Sequence, residues 1–348
     1  MPTISTPARV LITGANGFIA AWVVHTLLEN GFSVRGTVRE ESKSTFLRNL
    51  HKDDLEKGNL EFIVVPNMAN PGAFDDAVKG VNAIIHPASP VHLHADDPNE
   101  VIEPAVKGAI GVLESAFKYA GPQLKRVIFM SSTGAVINTP YMGTFDEHSW
   151  NEGSITEVAE KGRDVSPLRK YHASKTLAEK AVWDFVERNK HRLTWDLVVT
   201  IPSYVFGPTL SNARTPSELG SSMYLFYDYV FSNTKSMEER ASVQSEWTDV
   251  RDIAEAQLKA LRTPEAGGQR FIMTSEPFTW LDWCDTVNGL KLPGINAPTT
   301  STEYKDLPYK FRFDCTKART VLGMEPHHGR TETAEDVIDD FKKRGFLK

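Results

Sequence analysis

A short apolar run, Arg9-Val10-Leu11-Ile12, passes straight into Thr13-Gly14-Ala15-Asn16-Gly17-Phe18-Ile19-Ala20, and a helical pattern continues from Phe18 to Glu29. This order of strand, glycine turn and helix constrains the fold more than anything else in the chain. Gly14 permits a tight turn. Gly17 lets the backbone approach a pyrophosphate, and Ala20 is small enough for the helix to pack on a sheet. The helix N-terminus then offers free N–H groups and the positive end of its dipole to phosphates. The spacing is G-x-x-G-x-x-A rather than G-x-G-x-x-G, so the strand–loop–helix context carries the reading. Gly14, Ala15, Asn16, Gly17, Phe18 and Ile19 are therefore expected to hold a dinucleotide.

The alternation continues. Apolar strands are expected at Phe32–Val38, Leu60–Val65, Ala83–Ile85, Arg126–Met130 and Trp195–Ile201. Helical patterns cover Val101–Tyr119 and Leu168–Arg188. Apolar rather than alternating strands, separated by helices, indicate a parallel sheet covered on both faces. After Pro202 the texture becomes irregular and aromatic, a helix returns at Val250–Leu261, and a last one runs from about Glu332 to Lys343. The expected fold is α/β: a Rossmann-type doubly wound parallel sheet with a smaller, discontinuous C-terminal lobe. Residues 1–206 and about 246–264 would form the nucleotide-binding domain. About 207–245 and 265–330 would form the substrate lobe, and 331–348 a terminal helix.

Composition excludes several classes. With 39 Lys and Arg against 45 Asp and Glu, the net charge is −6, and no basic block exists to neutralise nucleic-acid phosphates. No apolar stretch is long enough for a membrane span, and no signal peptide is evident, so a cytoplasmic location is expected. The two cysteines, Cys284 and Cys315, cannot build a disulfide framework and read as buried free thiols.

An NAD site usually carries an acid about 20 residues past the glycine loop. Here Phe32-Ser33-Val34-Arg35-Gly36-Thr37-Val38-Arg39 has none. Arg39 and Lys43 would suit the 2′-phosphate of NADP, whereas Arg35 reads as a sheet-edge residue.

Tyr171-His172-Ala173-Ser174-Lys175 places Tyr171 and Lys175 on one helix face. A strand ending in Met130-Ser131-Ser132-Thr133-Gly134 precedes it, and ligands in such folds sit beyond the carboxyl ends of strands. Reducing a carbonyl requires a hydride and a proton on the developing alkoxide. A phenol titrates near 10, so a neighbouring ammonium that favours phenolate makes it a better acid–base group. Ser132 would hydrogen-bond the carbonyl oxygen.

Together Gly14–Ala20, Ser132, Tyr171 and Lys175 resemble the extended short-chain dehydrogenase/reductases, and within them the dihydroflavonol-reductase-like branch, to which fungal aldehyde reductases belong. His86-Pro87-Ala88-Ser89-Pro90, Tyr204-Val205-Phe206-Gly207-Pro208, Thr248-Asp249-Val250-Arg251-Asp252 and Gly268-Gln269-Arg270 extend the likeness. The resemblance implies an NADPH-dependent reductase of small aldehydes and ketones. Tyr171 would be the acid, Lys175 its partner and ribose anchor, and Ser132 the carbonyl donor. Arg39 and Lys43 would contact the 2′-phosphate. Ala88 would pass the ribose, and Pro202 and Val205 would flank the nicotinamide. Two departures stand out. Ala105-Val106-Lys107-Gly108 lacks the asparagine that can order a relay water, and Asn67-Met68 replaces an aspartate that contacts adenine.

The aromatics from Tyr224 to Phe231 suit either a substrate wall or a helix core. Thr133, Tyr204, Phe226 and Trp247 are the substrate-pocket candidates. His92-Leu93-His94 with Asp96 and Asp97 lacks a further placed ligand, so no metal is expected, and His327-His328 reads as a solvated loop. Two other readings of the fold remain: a sugar-nucleotide epimerase or dehydratase, and an NADP sensor without catalysis. Oligomeric state and the natural carbonyl substrate are not legible.

Overall fold

A computed structural model describes residues 4–89, 95–138, 142–304 and 308–347. Its strands are β1 (Arg9–Ile12), β2 (Ser33–Val38), β3 (Leu60–Val64), β4 (Ala83–His86), β5 (Arg126–Met130), β6 (Gly143–Phe145), β7 (Asp196–Pro202), β8 (Tyr204–Phe206), β9 (Gln244–Asp249), β10 (Gln269–Met273), β11 (Glu276–Thr279) and β12 (Phe311–Phe313). Its helices are α1 (Phe18–Glu29), α2 (Thr45–Leu50), α3 (Lys52–Glu56), α4 (Asn99–Tyr119), α5 (Glu152–Lys161), α6 (Pro167–Asn189), α7 (Ser221–Val230), α8 (Met237–Ser242), α9 (Val250–Arg262), α10 (Trp280–Gly289), α11 (Thr316–Leu322) and α12 (Arg330–Lys343).

Seven parallel strands form the central sheet in the order β10-β7-β5-β4-β1-β2-β3. The pattern follows from side chains that alternate across each strand. Val10 and Ile12 enter a core with Val23 and Leu27 of α1 and Ile253 of α9. Leu11, between them, enters the opposite core with Val112 and Leu113 of α4 and Val182 of α6. Both faces are covered, which is why the strands read as continuous apolar runs. The chain moves outward from β1 to β2 and β3, then returns to β4 on the other side of β1. That reversal opens a crevice above the carboxyl ends of β1 and β4, where ligands bind in sheets of this kind.

The lobe is built on the sheet β11-β9-β8. Its core is aromatic, with Phe206, Phe226, Trp247, Trp280 and Trp283 all fully buried or nearly so. Three expected boundaries shift. β10, expected in the lobe, pairs with β7 in the central sheet, because Phe271 and Met273 face one core and Ile272 the other. β8 and most of β9, both expected with the nucleotide-binding domain, belong instead to the lobe sheet with β11. The terminal helix α12 is part of the lobe core through Ala334, Val337, Ile338 and Phe341. A parallel pair, β6 and β12, was not legible in the sequence.

Among the described residues no helix is long and apolar enough to cross a membrane. Cys284 and Cys315 are free and buried, and burial pushes their thiols up to about 12 and about 11.

Candidate active site

The glycine loop leaves the carboxyl end of β1 at the crevice. Gly14 has φ +60, which only glycine adopts readily, and its N–H donates to Thr37 Oγ1 at 3.0 Å. A side chain there would meet Ala88 Cβ at 3.2 Å, so the loop and the β4 segment lie against each other. Ala15 donates to the Thr37 carbonyl at 2.8 Å, and its methyl group occupies the space that Gly36 leaves open. Gly17 is the N-cap of α1, with no side-chain cap, so the first N–H groups of the helix are available to a ligand.

A cavity of about 890 Å³ begins here. Its wall includes Gly14, Asn16, Gly17, Phe18 and Ile19, then Arg39 and Lys43, Asn67 and Met68, and Ala88. Ten predicted cofactor contacts therefore share one space. Arg39 is exposed and makes no ion pair among the described residues, while Lys43 reaches only Glu40, at 3.9 Å. Arg35 is engaged elsewhere: it pairs with Glu61 at 2.7 Å and donates to the Ala77 carbonyl at 2.9 Å. The Asn67 side-chain Oδ1 accepts the Ala69 N–H at 3.0 Å, closing its own turn. Met68 packs where a side chain on Gly108 would collide with it. Ala15, Pro202 and Val205 are buried and do not line this cavity.

A second cavity of about 120 Å³ adjoins the first and shares Ser221 and Ser222 with it. Ser132, Thr133 and Gly134 from the end of β5 face Tyr171 and His172 from the first turns of α6. Ser166 caps α6, and Pro167 starts it, which fixes where those turns begin. Burial raises the Tyr171 phenol, and its hydrogen bond with Ser132 opposes that rise. Lys175 lies one turn on, with Nζ 5.8 Å from the Tyr171 ring centre. Burial lowers its ammonium to about 8, against the pull of Glu179.

Glu179 anchors this corner. Its fully buried carboxylate accepts from Ser131 Oγ at 2.5 Å, from Arg270 Nε at 2.6 Å and from Trp183 Nε1 at 3.3 Å. Arg270 in turn donates to the carbonyls of Glu147 and Ser149 and stacks 3.8 Å over Trp150. The strand end carrying Ser132 is thereby tied to the helix carrying Tyr171.

Of the four substrate candidates, Thr133 and Tyr204 line the second cavity. Burial pushes the Tyr204 phenol up to about 12. Phe226 and Trp247 do not line it; both are fully buried in the lobe core. The helix geometry explains Phe226. Met223, Phe226 and Val230 form the inward stripe of α7, while Ser222 and Leu225 form the stripe facing the cavity. Trp247 is held by Trp283, at 4.7 Å between ring centres. His172, Ser203, Leu225 and Ser245 also line the cavity and were not foreseen, because they come from four separate stretches of the chain.

His92 to His94 lie outside the described residues, while Asp96 and Asp97 pair with Arg163 at 3.1 and 3.3 Å. His328 is no free loop residue: its Nδ1 lies 2.7 Å from the buried Asp252 carboxylate.

Residues 10–273 match the model of the NAD dependent epimerase/dehydratase family. A ketoreductase of Aspergillus niger is 33% identical over 329 residues, covering 91% of this chain and 92% of the relative. The NADPH-dependent methylglyoxal reductase of Saccharomyces cerevisiae is 32% identical over 349 residues, covering 96% and 98%. The crystal structure of the yeast methylglyoxal/isovaleraldehyde reductase complexed with NADPH superposes with a TM-score of 0.84 at 29% identity, covering 97% of this chain and all of that one. The glycine loop at the sheet's reversal, the Ser132, Tyr171 and Lys175 corner and these likenesses over nearly the full length agree: the chain belongs to the NAD dependent epimerase/dehydratase family of extended short-chain dehydrogenase/reductases.

Proposed function

We propose that this protein is an NADPH-dependent carbonyl reductase that converts a small aldehyde or ketone to its alcohol. The observation that carries the reading is the meeting of two cavities at one wall. One is lined by the glycine loop and by Arg39, which has no ion pair among the described residues, the other by Ser132 and Tyr171.

The residues fit NADPH. The uncapped N-terminus of α1 would receive the pyrophosphate, and Arg39 with Lys43 the 2′-phosphate. Ala88 would lie along the ribose, and Pro202 and Val205 would support the nicotinamide from beneath. When bound, the reduced nicotinamide supplies the hydride. Ser132 donates a hydrogen bond to the carbonyl oxygen and polarises it. Tyr171 then gives its proton to that oxygen as the carbon–oxygen double bond becomes a single bond. Burial keeps the phenol protonated until that moment. The Lys175 ammonium stabilises the phenolate left behind and bonds the ribose hydroxyls. Members of the fold that act on sugar nucleotides lead with NAD, and an Arg39 guanidinium in place of an acid opposes that use.

The test is NADPH consumption, with NADH alongside, over methylglyoxal, isovaleraldehyde, an aryl β-keto ester and a flavanonol. Turnover with NADPH is expected, and Tyr171→Phe should lower it about 100- to 10,000-fold, the range of general acid catalysis. Activity untouched by Tyr171→Phe removes the mechanism. A purified protein carrying bound NAD and inert toward every carbonyl removes the reductase reading.

A further inference from the structure

The chemistry above uses Ser132, Tyr171 and Lys175 and gives no task to His172, which lines the same cavity. Its ring is fixed against the backbone opposite. A methyl group on Gly134 would meet His172 Cδ2 at 2.7 Å and Nε2 at 3.4 Å. Gly134 lines the cavity too, and with Nδ1 buried across the ring the Cδ2–Nε2 edge is the one left to face the cavity. Nδ1, across the ring, is buried with no hydrogen-bond partner among the described residues.

Those two facts select a tautomer. A buried N–H without an acceptor is rarer and costlier than a buried lone pair without a donor. The proton of the neutral ring therefore sits on Nε2. The ring stays neutral at physiological pH, because burial and the nearby Arg169 charge lower His172 to about 4. The cavity thus receives one uncharged donor from this residue. Among the described residues no arginine or lysine lines it, so none of them brings a fixed positive charge to pair with a carboxylate. Its other polar groups are hydroxyls, among them Ser203, Tyr204 and Ser245.

We propose that His172 is a specificity-determining residue: its Nε2–H donates to a second, uncharged acceptor oxygen on the substrate, so that the enzyme prefers dicarbonyl compounds and keto esters to simple aldehydes. This rests on the carbonyl-reductase reading and names the substrate class of that site. A group built to be paired by substrate penalises analogues that leave it unpaired.

The measurement is the ratio of kcat/KM for a β-keto ester to that for isovaleraldehyde, in wild type, His172→Gln, His172→Asn and His172→Leu. Glutamine can bring an amide N–H to the position of Nε2, whereas asparagine reaches only the position of Nδ1. Leucine and asparagine should lower the ratio by about threefold to tenfold, and glutamine should hold it within about twofold, as one neutral hydrogen bond dictates. A purely structural role lowers both substrates together and leaves the ratio fixed, which overturns the proposal. If His172→Leu does not fold, the glutamine and asparagine pair decides alone. Calorimetric binding of the matching β-hydroxy ester to NADP+-loaded protein separates this proposal from its parent. Absence of turnover on every carbonyl removes the reductase reading. Binding that is absent in wild type, or equal in wild type and His172→Asn, removes the role of His172; binding weakened in His172→Asn and kept in His172→Gln supports it.

Discussion

Arg39 and Arg35 stand four residues apart, at the end and in the middle of β2, yet they serve different ends. Arg35 is spent within the fold on Glu61 and on carbonyls beyond β3. Arg39 lies past the last strand residue, exposed on the cavity wall and free of carboxylates among the described residues. A guanidinium without an internal partner keeps its full capacity for a phosphate. Arg39→Ala should raise the KM for NADPH about tenfold to a hundredfold, the worth of charge-assisted hydrogen bonds, and leave that for NADH nearly unchanged. Parallel kinetics with the two cofactors check it, and equal losses for both would place Arg39 in the fold rather than on the 2′-phosphate. The aligned pair Gly14 and Ala88 works at the same scale. A Cβ on Gly14 would come within 3.2 Å of Ala88 Cβ, which leaves little room for a larger residue at the turn.

At the scale of elements, the joint between β5, α6 and β10 holds the candidate catalytic corner together. Glu179 and Arg270 form a buried pair, and each has further partners. Removing one member leaves a charge stranded in the interior. Arg270→Ala should cost about 3–5 kcal/mol of unfolding free energy, read by urea denaturation. A loss under about 1 kcal/mol would mean that Glu179 is satisfied without its arginine. Much of this layer was legible in the sequence. β1 and β5 match their expected limits, because strands buried on both faces leave unbroken apolar runs. Ser132 and Tyr171 could be singled out because each closes a local pattern, a strand end and a helix turn, and both line the second cavity. β10 was placed in the lobe because Pro- and Gly-rich stretches on both sides hid five residues of strand. Phe226 and Trp247 were read as wall because an aromatic on an amphipathic element can face either way, and only the lobe's packing decides. His172 and Ser245 could not be foreseen, since nothing in their spacing announces a shared cavity.

At the scale of the whole molecule, acid should loosen the fold through buried imidazoles. His86 is held down to about 3 and His172 to about 4 by burial first, with the charges of Lys175 and Arg169 respectively adding to it. Both folded-state values lie below the ordinary histidine value of about 6.5 that applies in the unfolded chain. Between those limits the unfolded chain binds more protons, so stability is present above about pH 6.5 and lost as pH falls toward 4. Buried Glu147 and Glu246 shift upward and act in the opposite sense, but more weakly than two large histidine shifts. The melting temperature should therefore fall between pH 7 and pH 5, and fall less in a folded His172→Gln protein. An unchanged difference between the two would remove His172 from this account. One last property of the molecule comes from Ser221 and Ser222, which stand at the N-terminus of α7 and belong to both cavities. Whatever fills the larger space sets one wall of the smaller. Ordered binding is the expected consequence, with the nucleotide entering first: oxidised nucleotide should inhibit competitively against reduced nucleotide, the alcohol should inhibit noncompetitively against the carbonyl because each binds a different loaded form, and product-inhibition kinetics check it.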